Sequence, residues 1–320
     1  MIQAFGHGKE TNSREKSKMA FKNSMNQAAR HDSVLRELSE EESKALKLCL
    51  LSMYRDVYKV CKKNRIRLML AGGSALGCIR HQGFIPWDDD LDLMMTRSDY
   101  RRFKEIFSKE LSEDYILCAP NGSGKAKARF PKVFKKNTIY REITDIDSRE
   151  YPIGVFLDIF ILDKIPANAL KRRIKGLYCN AVMFASTCAF WYEQRNATMK
   201  QFAAQNEQAE KGLKKRLAIG SLCHMIMPAS KWFDFADRAM QYKGKTNLIG
   251  LPSGRKHYFG EVFRKAQILP PVVKTFEGEE ALVPADYDSY LNNLYGDYMQ
   301  IPPVDKRERH FVVEFELPPL

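Results

Sequence analysis

The stretch from Leu70 to Met94, LAGGSALGCIRHQGFIPWDDDLDLM, constrains the fold of this chain more than any other. An apolar run, Ile66 to Ala71, reads as a short buried strand. It breaks at a Gly72, Gly73, Ser74 turn, where small residues let the backbone approach a phosphate-sized group. Further on, Asp88, Asp89, Asp90 and Asp92 are interleaved with Leu91, Leu93, Met94 and Met95, as in a second, half-buried strand. Alternate residues of a strand share a face, so Asp90 and Asp92 point the same way and can hold one hard cation between them. Carboxylates that close repel unless a metal neutralises them, so the pair reads as a Mg²⁺ site, with Mn²⁺ the other ion of suitable chemistry. Asp88 would complete coordination from outside, and Asp89 would face away. Aspartate clusters are often plain solvated turns. Here the alternation with leucine and the stiff Pro86–Trp87 approach favour a strand. A phosphoryl-transfer site of this type needs one more acid from elsewhere. Asp158, flanked by Leu157 and Ile159 in the β-rich run VFLDIFILD, supplies it, and an acid there is costly to bury without a partner.

A Gly-Gly-Ser after a strand, a DxD on the next strand and a lone acid on a later one resemble the nucleotidyltransferase superfamily typified by DNA polymerase β. Within it, GCIRHQGFIPWDDDLDLMM followed by SDYRRF is similar to the LicD family of phosphocholine (diphosphonucleoside choline) transferases, which includes the fukutin-related ribitol-phosphate transferases. The likeness extends to GVFLDIFILD at Gly154 to Asp163 and to the C-terminal FEGEEALVPADYDSYLNNLYGDYMQIPP, a module expected to pack beside the active site. It implies an α+β fold, with a nucleotidyltransferase (polymerase β-like) mixed sheet core flanked by helices and carrying a helical insertion. The implied organisation is an N-terminal arm over 1–40, a catalytic core over 41–165, a helical insertion over 166–255 and a closing module over 256–320.

The reaction this resemblance implies is metal-assisted transfer of a phospho-alcohol, phosphocholine or a relative such as ribitol phosphate. The donor would be a CDP-activated alcohol, the acceptor a glycan or lipid-linked glycan such as a lipopolysaccharide, teichoic-acid or capsule precursor, and CMP would be released. Asp90, Asp92 and Asp158 are then the catalytic acids, Asp158 also serving as general base, with Asp88 as a further metal ligand. Gly72, Gly73 and Ser74 would cradle one phosphate, and Arg80, His81 or Lys132 would offset charge on the other. Two other readings stay open: nucleotidyl transfer onto a small molecule or RNA, and a non-catalytic basic protein that binds RNA or a membrane.

Charge bears on these choices. Lys and Arg number 52 against 39 Asp and Glu, a net charge of +13, which favours anionic partners such as nucleotide diphosphates, polyanionic glycans or an acidic membrane face, with no specific nucleic acid indicated. The seven cysteines are odd in number and show no CxxC spacing, so free thiols are expected and a zinc site is not. The N-terminal MIQAFGHGKETNSREK lacks an apolar core of signal-peptide type, which points to the cytoplasm, with peripheral contact at the inner face of the membrane.

Along the remaining chain, residues 1–40 read as a flexible or loosely helical arm, and Glu41 to Lys63 as an amphipathic helix with Leu46, Leu48, Leu51, Met53, Tyr54 and Val57 on its apolar face. Ser98 reads as the N-cap of a helix ending near Leu111. Tyr115 to Ala119 and Phe130 to Ile143 read as strands on either side of a loop, NGSGK, that lacks P-loop spacing but could present Lys125, Lys127 and Arg129 to a diphosphate. The apolar runs Leu177 to Tyr192 and Leu217 to Ser230 are short for membrane spans and suit either buried helices or helices lying on a bilayer. Tyr258 and Phe259 are expected to lead into a strand. Phe276 to Pro284 should form a hairpin around Glu279 and Glu280, followed by a helix from Tyr287 to Tyr295, with Asp286, Asp288 and Asp297 in capping and turn roles.

Overall fold

The computed structural model describes residues 35–122, 124–147, 151–304, 307 and 311–318. Most of the arm expected over 1–40 lies outside the described residues. Its last part is packed: Leu35 is buried, and Arg36 bridges to Val312 and pairs with Glu42 at 2.6 Å. Helix α1 (Glu40–Lys63) follows at once. Ser39 and Glu42 form a reciprocal capping box, with three glutamates in the first turn and two lysines in the last, as the helix dipole favours. Its buried face is Leu46, Leu50, Met53, Tyr54, Val57 and Cys61; Leu48, expected on that face, points to solvent.

Strand β1 (Met69–Leu70) runs straight into helix α2 (Gly72–His81), so the Gly-Gly-Ser segment is the first turn of a helix and not an open loop. Then come β2 (Asp92–Thr96) and α3 (Arg97–Glu110). The cap of α3 is Thr96, which accepts the Asp99 N–H and is two residues earlier than expected, so β2 turns directly into the helix. After β3 (Tyr115–Cys118), the single strand expected over 130–143 divides into β4 (Lys132–Lys135) and β5 (Ile139–Arg141). The break falls where β5 leaves the main sheet to pair with a late strand at Glu314–Glu316. Strand β6 (Phe156–Ile165) is long, as its β-branched and aromatic content suggests.

Between β6 and β7 (Leu248–Gly250) lie four helices: α4 (Ala169–Glu193), α5 (Ala197–Ala204), α6 (Glu207–Ile226) and α7 (Ala229–Met240). Both apolar runs weighed as membrane candidates fall in them, and among the described residues no helix is long and apolar enough to cross a membrane. Arg97 fastens this group to the sheet, with guanidinium nitrogens 2.6 Å from Asp163 on β6 and 2.6 Å from Asp237 on α7. The chain continues through α8 (His257–Gly260), β8 (Val262–Arg264), α9 (Lys265–Ile268), the hairpin β9 (Val272–Phe276) and β10 (Glu279–Val283), α10 (Tyr287–Tyr295) and β11 (Glu314–Glu316). Tyr258 and Phe259 therefore belong to a short helix before the strand. The hairpin turns on Glu277 and Gly278, with Glu279 and Glu280 opening its second strand.

The main sheet has the order β3-β4-β6-β2-β1-β10-β9, with β7 and β8 extending the far end of β6. It is mixed: β6 is parallel to β2 and antiparallel to β4, and β1 is parallel to β10. Helices α1 and α3 and the sheet enclose the principal core, in which Met53, Val57, Leu68, Met69, Leu93, Met94, Phe103 and Leu157 are fully buried. The protein is thus α+β, with helices around a mixed sheet. All seven cysteines are free, six of them buried.

Candidate active site

A cavity of about 680 Å³ opens where β1 meets α2. Ala71 at the end of β1 donates its N–H to the carbonyl of Asp92, which brings the start of α2 beside the start of β2. On the other side of β2, Asp92 is the in-register partner of Asp158 on parallel β6, and Asp158 is in turn opposite Lys132 on β4. Directly opposed residues project from the same face of a sheet, so Asp92, Asp158 and Lys132 form one row across three strands. Asp88, Asp90, Asp92 and Asp158 all line the cavity.

The two glycines permit this approach. A Cβ on Gly72 would stand 2.9 Å from Oδ2 of Asp92, and one on Gly73 2.8 Å from Oδ2 of Asp88. Gly72 also has φ +49, which an L side chain rarely adopts. Its N–H is taken by the Tyr290 hydroxyl at 3.0 Å. Ser74 is buried behind this turn, and its hydroxyl accepts the Asp92 N–H at 2.8 Å. It therefore fixes the β2 strand from behind, whereas Gly72 and Gly73 face the cavity.

Burial raises the Asp92 carboxyl well above the usual carboxylate range, and the neighbouring Asp90, Asp158 and Asp88 push it further, while Lys132 opposes them. Asp158 is raised too, chiefly by burial, with Lys132 partly offsetting it at 2.7 Å. Lys132 itself is buried: burial works against its charge, but the Asp158 and Glu142 carboxylates win, and its pKa is raised. It lies over the Phe156 ring, 3.5 Å from the centroid. Lys132 is thus an ion-pair partner of a candidate catalytic acid, on the side of a second, smaller cavity of about 110 Å³. Asp89 lines that smaller cavity and not the larger one, while Asp90 and Asp158 border both.

The donor set is made of carboxylate oxygens, which suits a hard divalent cation and not zinc. Like charges raising one another's pKa are the signature of a site in want of positive charge. Among the described residues, no group of three or more His, Cys, Asp or Glu side chains is arranged to hold a metal ion as it stands, and Lys132 engages Asp158.

Arg80 lines the cavity, with its guanidinium tied to the Tyr298 carbonyl at 2.6 Å. His81 receives the Arg80 Nε–H at 3.0 Å, and burial followed by the Arg80 charge lowers its pKa. A neutral imidazole that accepts from Arg80 orients that side chain and does not itself offset phosphate charge. The structure also brings residues to the wall that local sequence patterns do not reveal. Tyr290, Leu294 and Tyr295 come from α10, and Ser253, Gly254, Arg255 and His257 from the segment after β7. Trp87 lies at the wall near two guanidinium groups, those of Arg307 at 4.1 Å and Arg80 at 6.0 Å from its ring centroid. Glu261 is buried and lines the cavity as well. The α10 aromatics fit the closing module's expected place beside the site, and Arg129, expected with its loop to meet a diphosphate, is on the wall too; Glu261 and Arg307 carry no local signal.

Comparison with known proteins adds to this geometry. Residues 65–148 match a family model described as LicD/FKTN/FKRP, nucleotidyltransferase domain, a range that holds the glycines and the aspartate cluster but ends before Asp158. The chain is 29% identical over 293 residues to the lipopolysaccharide cholinephosphotransferase LicD of Haemophilus influenzae, covering 88% of this chain and 98% of that protein. Shorter matches join it to uncharacterized proteins of Rickettsia typhi, 36% identical over 27% of this chain and 30% of the relative, and of Rickettsia prowazekii, 32% identical over 38% and 49%. The chain carries a LicD-family domain.

Proposed function

We propose that this protein is an enzyme, a divalent-cation-dependent transferase that moves a phospho-alcohol from a CDP-activated donor to a saccharide acceptor and releases CMP. Phosphocholine is the first candidate for the group and a lipopolysaccharide-type glycan for the acceptor, with ribitol phosphate and teichoic-acid or capsule precursors as variants of the same chemistry. The observation that carries the reading is the row of Asp92 and Asp158 facing a cavity beside Gly72 and Gly73. Likeness along almost the whole of a cholinephosphotransferase supports it. A nucleotidyltransferase-type fold is the matching architecture, supported by the family model over 65–148.

Asp90, Asp92 and Asp158 would hold the cation, with Asp88 beside them. A bound Mg²⁺ or Mn²⁺ would neutralise the diphosphate and stabilise charge on the departing CMP. The protein's own contributions follow from its geometry. The first turn of α2, free of side chains at Gly72 and Gly73, admits a phosphate against backbone N–H groups at a helix N-terminus. Asp158, anchored by Lys132, can accept the proton of the attacking sugar hydroxyl. The deep wall formed by Tyr290 and Tyr295 would keep competing water from the attacked phosphorus.

The test is incubation of the pure protein with CDP-choline, CDP-ribitol or CDP-glycerol, Mg²⁺ and a glycan acceptor, with nucleotide and product analysis. CMP together with a phospho-alcohol on the acceptor supports the proposal. Pyrophosphate release would instead indicate nucleotidyl transfer, and metal-independent RNA or vesicle binding without turnover would indicate a non-catalytic basic protein. Contact with the inner face of a membrane is the accompanying proposal, supported by exposed Leu170, Ile174, Leu177 and Tyr178 on α4 next to Lys171 and Arg173.

A further inference from the structure

Arg129 is a cation of the cavity wall, and among the described residues no carboxylate pairs with it. Buried cations nearby are each met by a carboxylate: Arg97 by Asp163 and Asp237, Lys127 by Asp145, Lys132 by Asp158. Arg129 instead donates from Nη1 to the Thr187 hydroxyl at 3.1 Å, and its buried Nε has no hydrogen-bond partner among the described residues. No described Asp or Glu perturbs it; burial alone lowers its pKa, to about 10, so it stays charged at neutral pH. A guanidinium has five N–H donors and no way to shed its charge, so this arrangement is costly without an anion.

We infer that Arg129 is the seat of a phosphate group of the substrate, and that Thr187 on α4 is the positioning residue that aims it. Arg129 directly precedes Phe130, whose ring packs on Phe160 at 4.6 Å between centroids, and Arg129, Phe130, Asp158 and Phe160 line the cavity together. The guanidinium fork suits two oxygens of one phosphate. Thr187 is polarised for its task. Its single hydroxyl proton goes to the Met183 carbonyl at 2.9 Å, which leaves only lone pairs to receive Arg129. The helical segment after β6 thus reaches into substrate binding through one hydroxyl. Naming the phosphate as that of a CDP-alcohol rests on the proposed transferase reaction; the binding of a phosphate does not.

The experiment measures binding of pyrophosphate, CDP-choline, cytidine and choline to the full chain by calorimetry, with thermal unfolding alongside. Replacing Arg129→Met should weaken pyrophosphate and CDP-choline about 10- to 100-fold, the effect of losing charge-assisted hydrogen bonds, and leave cytidine and choline unchanged. Without ligand, R129M should unfold at the same temperature as the wild type or higher, since an unpaired charge leaves the interior, and pyrophosphate should stabilise only the wild type. T187V should weaken both phosphate ligands several-fold and T187S should restore them. Undiminished pyrophosphate binding by R129M overturns the inference, as does marked destabilisation by R129M, which would mean that the guanidinium serves the fold. If CDP-choline is not turned over but R129M still loses pyrophosphate, the phosphate seat stands and the transferase reading fails; turnover with binding independent of Arg129 has the opposite meaning.

Discussion

Asp92 and Asp158 are in-register partners on neighbouring parallel strands, so two carboxylates from distant parts of the chain project side by side from one face of the sheet. Parallel neighbours cannot be joined by a tight turn and need a long crossover. Here the intervening chain includes α3, β3, β4 and β5, and it supplies the counter-charge as well: β4 brings Lys132 to the far side of Asp158.

If these acids hold a catalytic cation, Asp90→Asn and Asp92→Asn should each lower CMP release from CDP-choline by about 10²-fold or more, the scale of removing a principal electrostatic stabiliser. The metal-free D92N protein should be at least as stable as the wild type to heat, because one member of a mutually repelling group has become neutral. Asp89→Ala, on the side of the smaller cavity, should retain most activity. Chelation should abolish turnover, and Mg²⁺ or Mn²⁺ should restore it. Equal activity of D89A and D92N would remove the metal assignment.

Gly72→Ala separates backbone strain from crowding. The new methyl would stand 2.9 Å from Asp92 Oδ2 at a residue with φ +49. Gly278, with φ +79 and open space around it, supplies the control. Both alanine variants should lose roughly 1 kcal/mol in urea unfolding. Only G72A should also lose turnover, because it alone displaces a candidate ligand.

The Lys132–Asp158 pair can be tested as a unit. Its side chains are 10% and 16% exposed, and removing one partner leaves the other charged and poorly hydrated. Lys132→Met should cost about 3–5 kcal/mol in urea unfolding, and adding Asp158→Asn should return a good part of that. Additive losses in the double variant would show that the two groups are not coupled.

Glu261 gives a pH signature away from the acid cluster. It is 2% exposed, and burial raises its pKa to about 7, against favourable contacts with Lys256 and Arg255. A carboxyl whose folded pKa is raised stabilises the fold fully below its unfolded value and loses that contribution as pH rises through the folded one. The wild type should therefore lose on the order of 3 kcal/mol between about pH 4.5 and pH 7 from this residue. Glu261→Gln should flatten that part of the stability curve, as chemical unfolding at several pH values will show; an unchanged slope would assign the ionisation to other groups.

Much of the fold was readable along the chain because its signals are local. The apolar periodicity of α1, the β-rich run of β6 and the turn-and-helix ending at Tyr295 each depend on residues within a few positions of one another. The same holds for the spacing that put Asp90 and Asp92 next to a glycine turn and singled out Asp158 as a misplaced acid. Where expectation and structure part, a long-range contact has intervened: β5 leaves its strand to pair with β11, and Ser74 turns from the cavity to hold Asp92.

Residue types and short spacings were therefore enough to name the carboxylates, the glycines and the family that they resemble, since chemistry and local backbone preference are written in neighbouring residues. Packing alone decided which cations meet which anions. Lys132 joins Asp158, Arg97 joins Asp163 and Asp237, and Arg129 meets the Thr187 hydroxyl. Those pairings depend on strand register and on a helix docked from far along the chain, and desolvation, which makes each of them matter, exists only once the chain has folded around them.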